Sequence, residues 1–255
     1  MHRGRRFTFF KQRRNEGKMN IFNLDSPVMQ ALGKVADLMW LNFLTLVCCI
    51  PIITIGPSLT AMHYMALKMV RNEECYITRG FFKSFKENFR QGVLIGILTL
   101  FVTVLLIGDF ILLRNPALSF SKFLQILITI ISVLFVFTVM YVYPVLAKFA
   151  NTTWRTIKNA FLMSIMQFPK TLLMIVIWAL PLVLLYISGR TVPIVFLFGL
   201  SGPAWLCAHL YNKFFRKLED QVLAENPPEQ APDEDEHIFS DEISENLIME
   251  DKAQK

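Results

Sequence analysis

Acidic side chains are scarce through most of this chain. Residues 1–218 carry 7 Asp/Glu against 24 Lys/Arg, net +17, whereas residues 219–255 carry 13 against 2, net −11. Cysteine is also sparse: Cys48, Cys49, Cys75 and Cys207 show no CxxC spacing and no neighbouring histidine pair, which removes the usual zinc and redox readings. No HExxH, GxSxG or GxxxxGK[ST] pattern occurs, and no carboxylate pair is placed to flank a substrate. The sequence therefore gives no positive reason to expect an enzyme, a metal or a cofactor. No short apolar core followed by a small-residue cleavage site precedes Lys34, so no cleaved signal peptide is expected.

What is abundant is apolar: 54% of the 255 residues are hydrophobic, with 23 Phe. Charge is nearly missing from Val93–Leu113 and Phe123–Ala147. Each is about as long as the ~20 residues a helix needs to cross ~30 Å of hydrocarbon. The fold class expected is all-α: a polytopic membrane helix bundle of about six transmembrane helices with amphipathic cytoplasmic helices. Asp25-Ser26-Pro27 opens helix 1 with a capping residue and a first-turn proline, and Pro51 should end it near Ile50. Span 2, over 51–70, follows with no polar loop between. The others are placed at about Val93–Leu113, Phe123–Ala147, Thr171–Ile187 and Val192–Leu210. Three regions follow from this: a basic arm over 1–18, a six-span domain over 19–217 and an acidic, disordered cytoplasmic tail over 218–255.

Alternate sides of this model differ sharply in Lys/Arg. One collects the arm, the connections 71–91 and 148–170, and Lys213, Arg216 and Lys217; the other has only Arg114, Lys122 and Arg190. The positive-inside rule places the first side, with both termini, in the cytoplasm. The basic balance is thus assigned to anionic lipid headgroups, with the bilayer as partner, and no nucleic acid is expected.

Two segments carry candidate contact chemistry. Over 79–91, Phe81, Phe82, Phe85 and Phe89 recur at helical spacing with Lys83, Lys86 and Arg90 on the other face, a pattern suited to lying in the interface against lipid or a partner. Arg79, Phe85 and Gln91 recur as Arg155, Phe161 and Gln167. A second internal match pairs Gly56-Pro57 and His63 with Gly202-Pro203 and His209. If spans 2 and 6 break at these Gly-Pro steps, His63 and His209 form a candidate intramembrane polar site of the kind transporters build from interrupted helices; otherwise the steps are ordinary packing features. Gly92-x3-Gly96 is a close-approach pattern that points to internal packing ahead of dimerisation.

From Met19 to Gln91 the chain reads F-N-x-D-S-P-x-M, then W-L-N, C-C-I-P-I-x-T-I-G-P, A-L-K-x-V-R-x-E-E and F-F-K-S-F-K-x-N-F. This run resembles the YesL-like family of bacterial membrane proteins of unknown function. The resemblance extends through most of 19–215 and implies a multi-pass protein of the Gram-positive plasma membrane, often encoded beside carbohydrate-uptake and polysaccharide-degradation genes. It implies a non-enzymatic accessory component of carbohydrate uptake or sensing, with subunits of an ABC-type sugar importer or a membrane sensor as partners. It carries over no catalytic residue. The family pattern starts near Met19, so the arm over 1–18 is read as an over-extended start. The alternative function is a small solute transporter with its site between broken helices 2 and 6.

Overall fold

The structure, a computed structural model, describes residues 27–73, 76–114, 121–149 and 152–225. The basic arm over 1–18 and the acidic residues after 225 lie outside them. Among the described residues the elements are α1 (Pro27–Cys49), α2 (Ile55–Val70), α3 (Ile77–Glu87), α4 (Phe89–Leu113), α5 (Lys122–Lys148), α6 (Thr153–Met166), α7 (Phe168–Ile187), α8 (Val192–Phe198) and α9 (Ser201–Glu225). Single 3-10 turns join α1 to α2 and α7 to α8.

The protein is an all-α bundle with the composition of a membrane domain. Four helices are long and apolar enough to cross a bilayer: α1, α4, α5 and α7. Large apolar side chains such as Leu94, Phe101, Ile107, Phe123, Ile130, Leu172 and Val176 stand exposed along them. Such surface is lipid-facing, since soluble monomers rarely leave apolar patches of this extent in water. The α8–α9 pair, bent by 56°, is long and apolar enough only when taken together, as a broken span or a re-entrant loop. The remaining element of the six-span order, α2, has 16 residues, a rise of about 24 Å against ~30 Å of hydrocarbon.

That shortness fits the position of α2, which is the centre of the bundle. It packs against α1, α3, α4, α5 and α9, and its buried residues include Gly56, Pro57, Ala61, Met62, Met65 and Ala66. A helix walled in by protein does not need to span lipid by itself. Around it, α2–α3–α4 and α5–α6–α7 repeat one plan: an apolar helix, an amphipathic helix packed back on it, a one-residue break at Asn88 or Gln167, then a long apolar helix. The Arg79/Phe85/Gln91 match falls on these units with a shift of three residues, since Gln167 is the break residue whereas Gln91 lies inside α4.

Small residues set the closest contact. A Cβ on Gly56 would run into the Gly92 carbonyl and lie 3.0 Å from the Gly96 Cα; one on Gly92 would sit 2.9 Å from the Pro57 backbone. Gly92-x3-Gly96 is therefore an internal packing surface, where backbones meet because nothing stands between them. One boundary expected from the sequence needs correction. The acidic tail set to begin at 218 is helical in its first part, because α9 continues to Glu225 and Glu219 is tied to two other helices, as described next.

Candidate functional site

At the end of the bundle where α3 and α6 lie, the basic end, Arg71 caps the C-terminus of α2. The next residue, Asn72, has φ 53°, and the Glu73 N–H donates to the Lys68 carbonyl at 3.2 Å. This is a helix stop with Asn in the left-handed position that glycine usually fills. The Lys34 ammonium from α1 donates to the Asn72 side chain at 2.8 Å. The stop leaves Arg71 facing α9, where its guanidinium grips Glu219 through both forks, at 2.8 and 3.0 Å, and donates from Nε to Asn212 Oδ1 at 2.9 Å. Lys148, at the end of α5, lies 3.5 Å from the same carboxylate. The Arg71 side chain is 7% exposed and that of Glu219 24%. Burial works to raise the Glu219 carboxyl, but the Arg71 hydrogen bonds and the Lys148 charge outweigh it and hold the group below its usual range. One acid on α9 thus locks α2 and α5.

Deeper in, the breaks are closed by the protein's own side chains. Asn42 of α1, 1% exposed, donates from Nδ2 to the Phe196 carbonyl at 2.7 Å and accepts at Oδ1 from the N–H groups of Leu200 and Ser201, both at 2.9 Å. It stitches the α8–α9 bend from outside the bent segment. At the α1–α2 break, Thr54 Oγ1 lies 2.6 Å from the Cys48 carbonyl and 2.8 Å from that of Pro51. The Gly-Pro pairs fall in the first turns of α2 and α9, not in mid-helix. There the missing proline N–H is one that has no intrahelical partner in any case. The expected interruptions exist, but they precede the Gly-Pro steps; the backbone groups named above are engaged, while the Ser201 hydroxyl at the α8–α9 bend is buried without a hydrogen-bond partner.

The two candidate histidines are not brought together. His63 is buried, its Nδ1 3.5 Å from the Tyr211 hydroxyl of α9 and its ring 6.2 Å from that of Trp178. His209 is on the exposed side of α9 and rests on Trp205, ring centroids 4.5 Å apart, with Nδ1 3.1 Å from the Trp205 carbonyl. Helices α2 and α9 do share a long seam, and Tyr211, not His209, faces His63 across it.

The aromatic stripe of α3 divides in two. Phe81 is fully buried and Phe85 partly so, both in the core, while Phe82 and Phe89 are each 39% exposed. At 100° per residue Phe81 and Phe82 form opposite edges of one stripe. The first edge is consumed by α2, against which Gly80 lets α3 lie close to Met65. Trp40 of α1 reinforces this by donating from Nε1 to Thr78 Oγ1 at 2.9 Å. Lys83 pairs with Glu87 at 4.0 Å, and Lys83, Lys86 and Arg90 are all exposed. On α6 the counterpart surface holds Trp154, 74% exposed, with Arg155 and Lys158.

The sequence reading missed Asn42, Arg71 and Glu219 as site residues. Asn42 and Arg71 stand inside the W-L-N and A-L-K-x-V-R runs, but their partners lie more than a hundred residues away. The family model described as "Protein of unknown function, DUF624" matches residues 38–110. YesL-like proteins belong to that family, so the resemblance carried by 19–91 stands. The matched stretch runs from the second half of α1 through most of α4 and includes Asn42, Gly56, Arg71 and Gly92. No curated protein and no solved structure gives a match.

Proposed function

We propose that this integral membrane protein is a non-enzymatic accessory of carbohydrate uptake or sensing, anchored in the plasma membrane with its basic end in the cytoplasm. There it docks on a subunit of an ABC-type sugar importer or a membrane sensor. The observation that carries the reading is the construction of the basic end. Two amphipathic helices, α3 and α6, are fixed to the bundle by one edge and hold out Phe82 and Trp154 beside Lys83, Arg155 and Lys158. Rigidly mounted aromatic and cationic side chains are what protein contacts favour. The Arg71–Glu219–Lys148 lock stiffens the platform. The placement in the cytoplasm rests on the positive-inside rule, and the link to carbohydrate rests on the family resemblance.

The test is a mild-detergent pull-down of the tagged protein from native membranes of cells grown on plant polysaccharide, with bound proteins identified by mass spectrometry. Recovery of importer permease or sensor subunits, lost in Phe82→Ser/Trp154→Ser, supports the reading. Recovery of the protein alone sinks it.

A second reading, a small solute carrier, draws on a cleft of about 500 Å³ beside the α8–α9 bend, lined by Asn42, Trp178, Phe196 and Leu200 among others. Its walls are mainly apolar and the Asn42 amide is engaged with the bend. A carrier working through this cleft would lose uptake in Trp178→Ala, and one working at the neighbouring α2–α9 seam in His63→Ala, at normal membrane levels. An accessory would keep its partner.

A further inference from the structure

A separate feature at the basic end is a cleft of about 1220 Å³ between the two repeats. Its walls are Lys86 and Asn88 of the α3–α4 junction, the first turn of α4, Tyr64 of α2, the end of α5 with Lys148, and Thr152 ahead of α6. Ligand sites typically measure ~300–1,000 Å³, so this one admits a headgroup.

The charge within it is unbalanced. Lys86 and Arg90 have no carboxylate partner among the described residues, and Lys148 shares Glu219 with Arg71. Among the described residues the one lining acid, Glu87, is drawn toward Lys83. The starts of α4 and α6 both open on the cleft, with Asn88 and Thr152 as their N-cap residues. Neither helix has a side-chain cap or an acid in its first turn. The start of α6 leaves backbone N–H groups and a positive dipole end for an anion, whereas at Asn88 the C-terminal end of α3 abuts the start of α4. Phe89 and Phe149 add an apolar wall where α4 enters the membrane and α5 leaves it.

We propose that this cleft is a binding site for the phosphate of an anionic phospholipid. The headgroup phosphate lies between Lys86 and Arg90 and faces the start of α6, and the acyl chains run along the exposed faces of α4 and α5. The cleft lies where α4 begins and α5 ends and opens beside their exposed apolar faces, which selects a lipid over a soluble phosphate ester. The site goes beyond the accessory reading, and a chain with no protein partner would still hold its lipid.

Native mass spectrometry of the full-length protein, titrated with phosphatidylglycerol or phosphatidylcholine, tests it. Lys86→Gln/Arg90→Gln is expected to weaken phosphatidylglycerol binding about tenfold or more, the loss of two charge-assisted contacts, with phosphatidylcholine unchanged. Lys86→Arg/Arg90→Lys should keep most of the binding. The charge-matched Arg155→Gln/Lys158→Gln, outside the cleft, should leave it intact. Equal loss in both charge-removing doubles, or equal binding of the two lipids by the native chain, overturns the proposal. So does displacement of phosphatidylglycerol by millimolar glycerol phosphate or inorganic phosphate, which would make this a soluble-phosphate site.

Discussion

Two residues illustrate how much a single polar side chain decides inside an apolar bundle. Asn42 satisfies three backbone groups at the α8–α9 bend, and in hydrocarbon such groups have no water to turn to. Asn42→Leu, of similar size, should therefore destabilise the protein by about 2–4 kcal/mol, read as a lower melting temperature in detergent. Asn42→Asp, which still accepts from Leu200 and Ser201, should recover part of it. Arg71 makes the complementary case for charge. Removing one member of a buried pair strands the other, so Arg71→Ala should cost about 3–5 kcal/mol. Glu219 also gives the lock a pH dependence with a definite sign. Its folded pKa lies below its ordinary value of 4.5, so its contribution is complete above that pH and is lost as pH falls through the folded value. Thermal melts between pH 7 and pH 3 should show an acid limb that shrinks in Glu219→Gln. Neither residue could be singled out from the sequence. A lone Asn in a span and one Arg among many announce nothing until their partners, 154 and 148 positions away, fold against them.

For whole elements, periodicity and punctuation were good guides to existence and poorer guides to environment. Pro27 opens α1, the chain breaks at Pro51, and the apolar runs become α5 to within one residue and α4 and α7 with starts four and three residues earlier than expected. The Gly92-x3-Gly96 pattern correctly indicated an internal seam, and Gly56 is its other half. What the pattern could not say is which medium an apolar face meets. The α3 stripe looks the same whether it faces lipid or protein, and only the fold shows Phe81 inside and Phe82 outside. The Gly-Pro steps misled for a related reason: proline marks a helix start as readily as a break, and here it does the former. The seam makes a sharp contrast available. Gly56→Ala puts a methyl against the Gly92 carbonyl and should drive α2 from α4, cutting membrane levels severely. Gly108→Ala, with nothing within 4 Å of the added carbon, should behave as native. Quantitative blotting of membrane fractions separates the two.

At the scale of the whole molecule, the repeated plan explains why a chain without catalytic motifs is so firmly built at one end. Each repeat places an amphipathic helix at the basic end, and the acid on α9 binds α2 to α5 beneath them. The result is a rigid surface joined to a lipid-facing anchor, which suits a protein that works by holding another. The most direct measurement is in-cell photo-crosslinking from single positions, with a photoreactive residue replacing Phe82, Trp154 or, as the lipid-facing control, Phe101. The account predicts crosslinks from 82 and 154 to a shared partner, an importer or sensor subunit, and none from 101. Crosslinks to protein from 101 alone, or no protein adduct from 82 and 154, would contradict it.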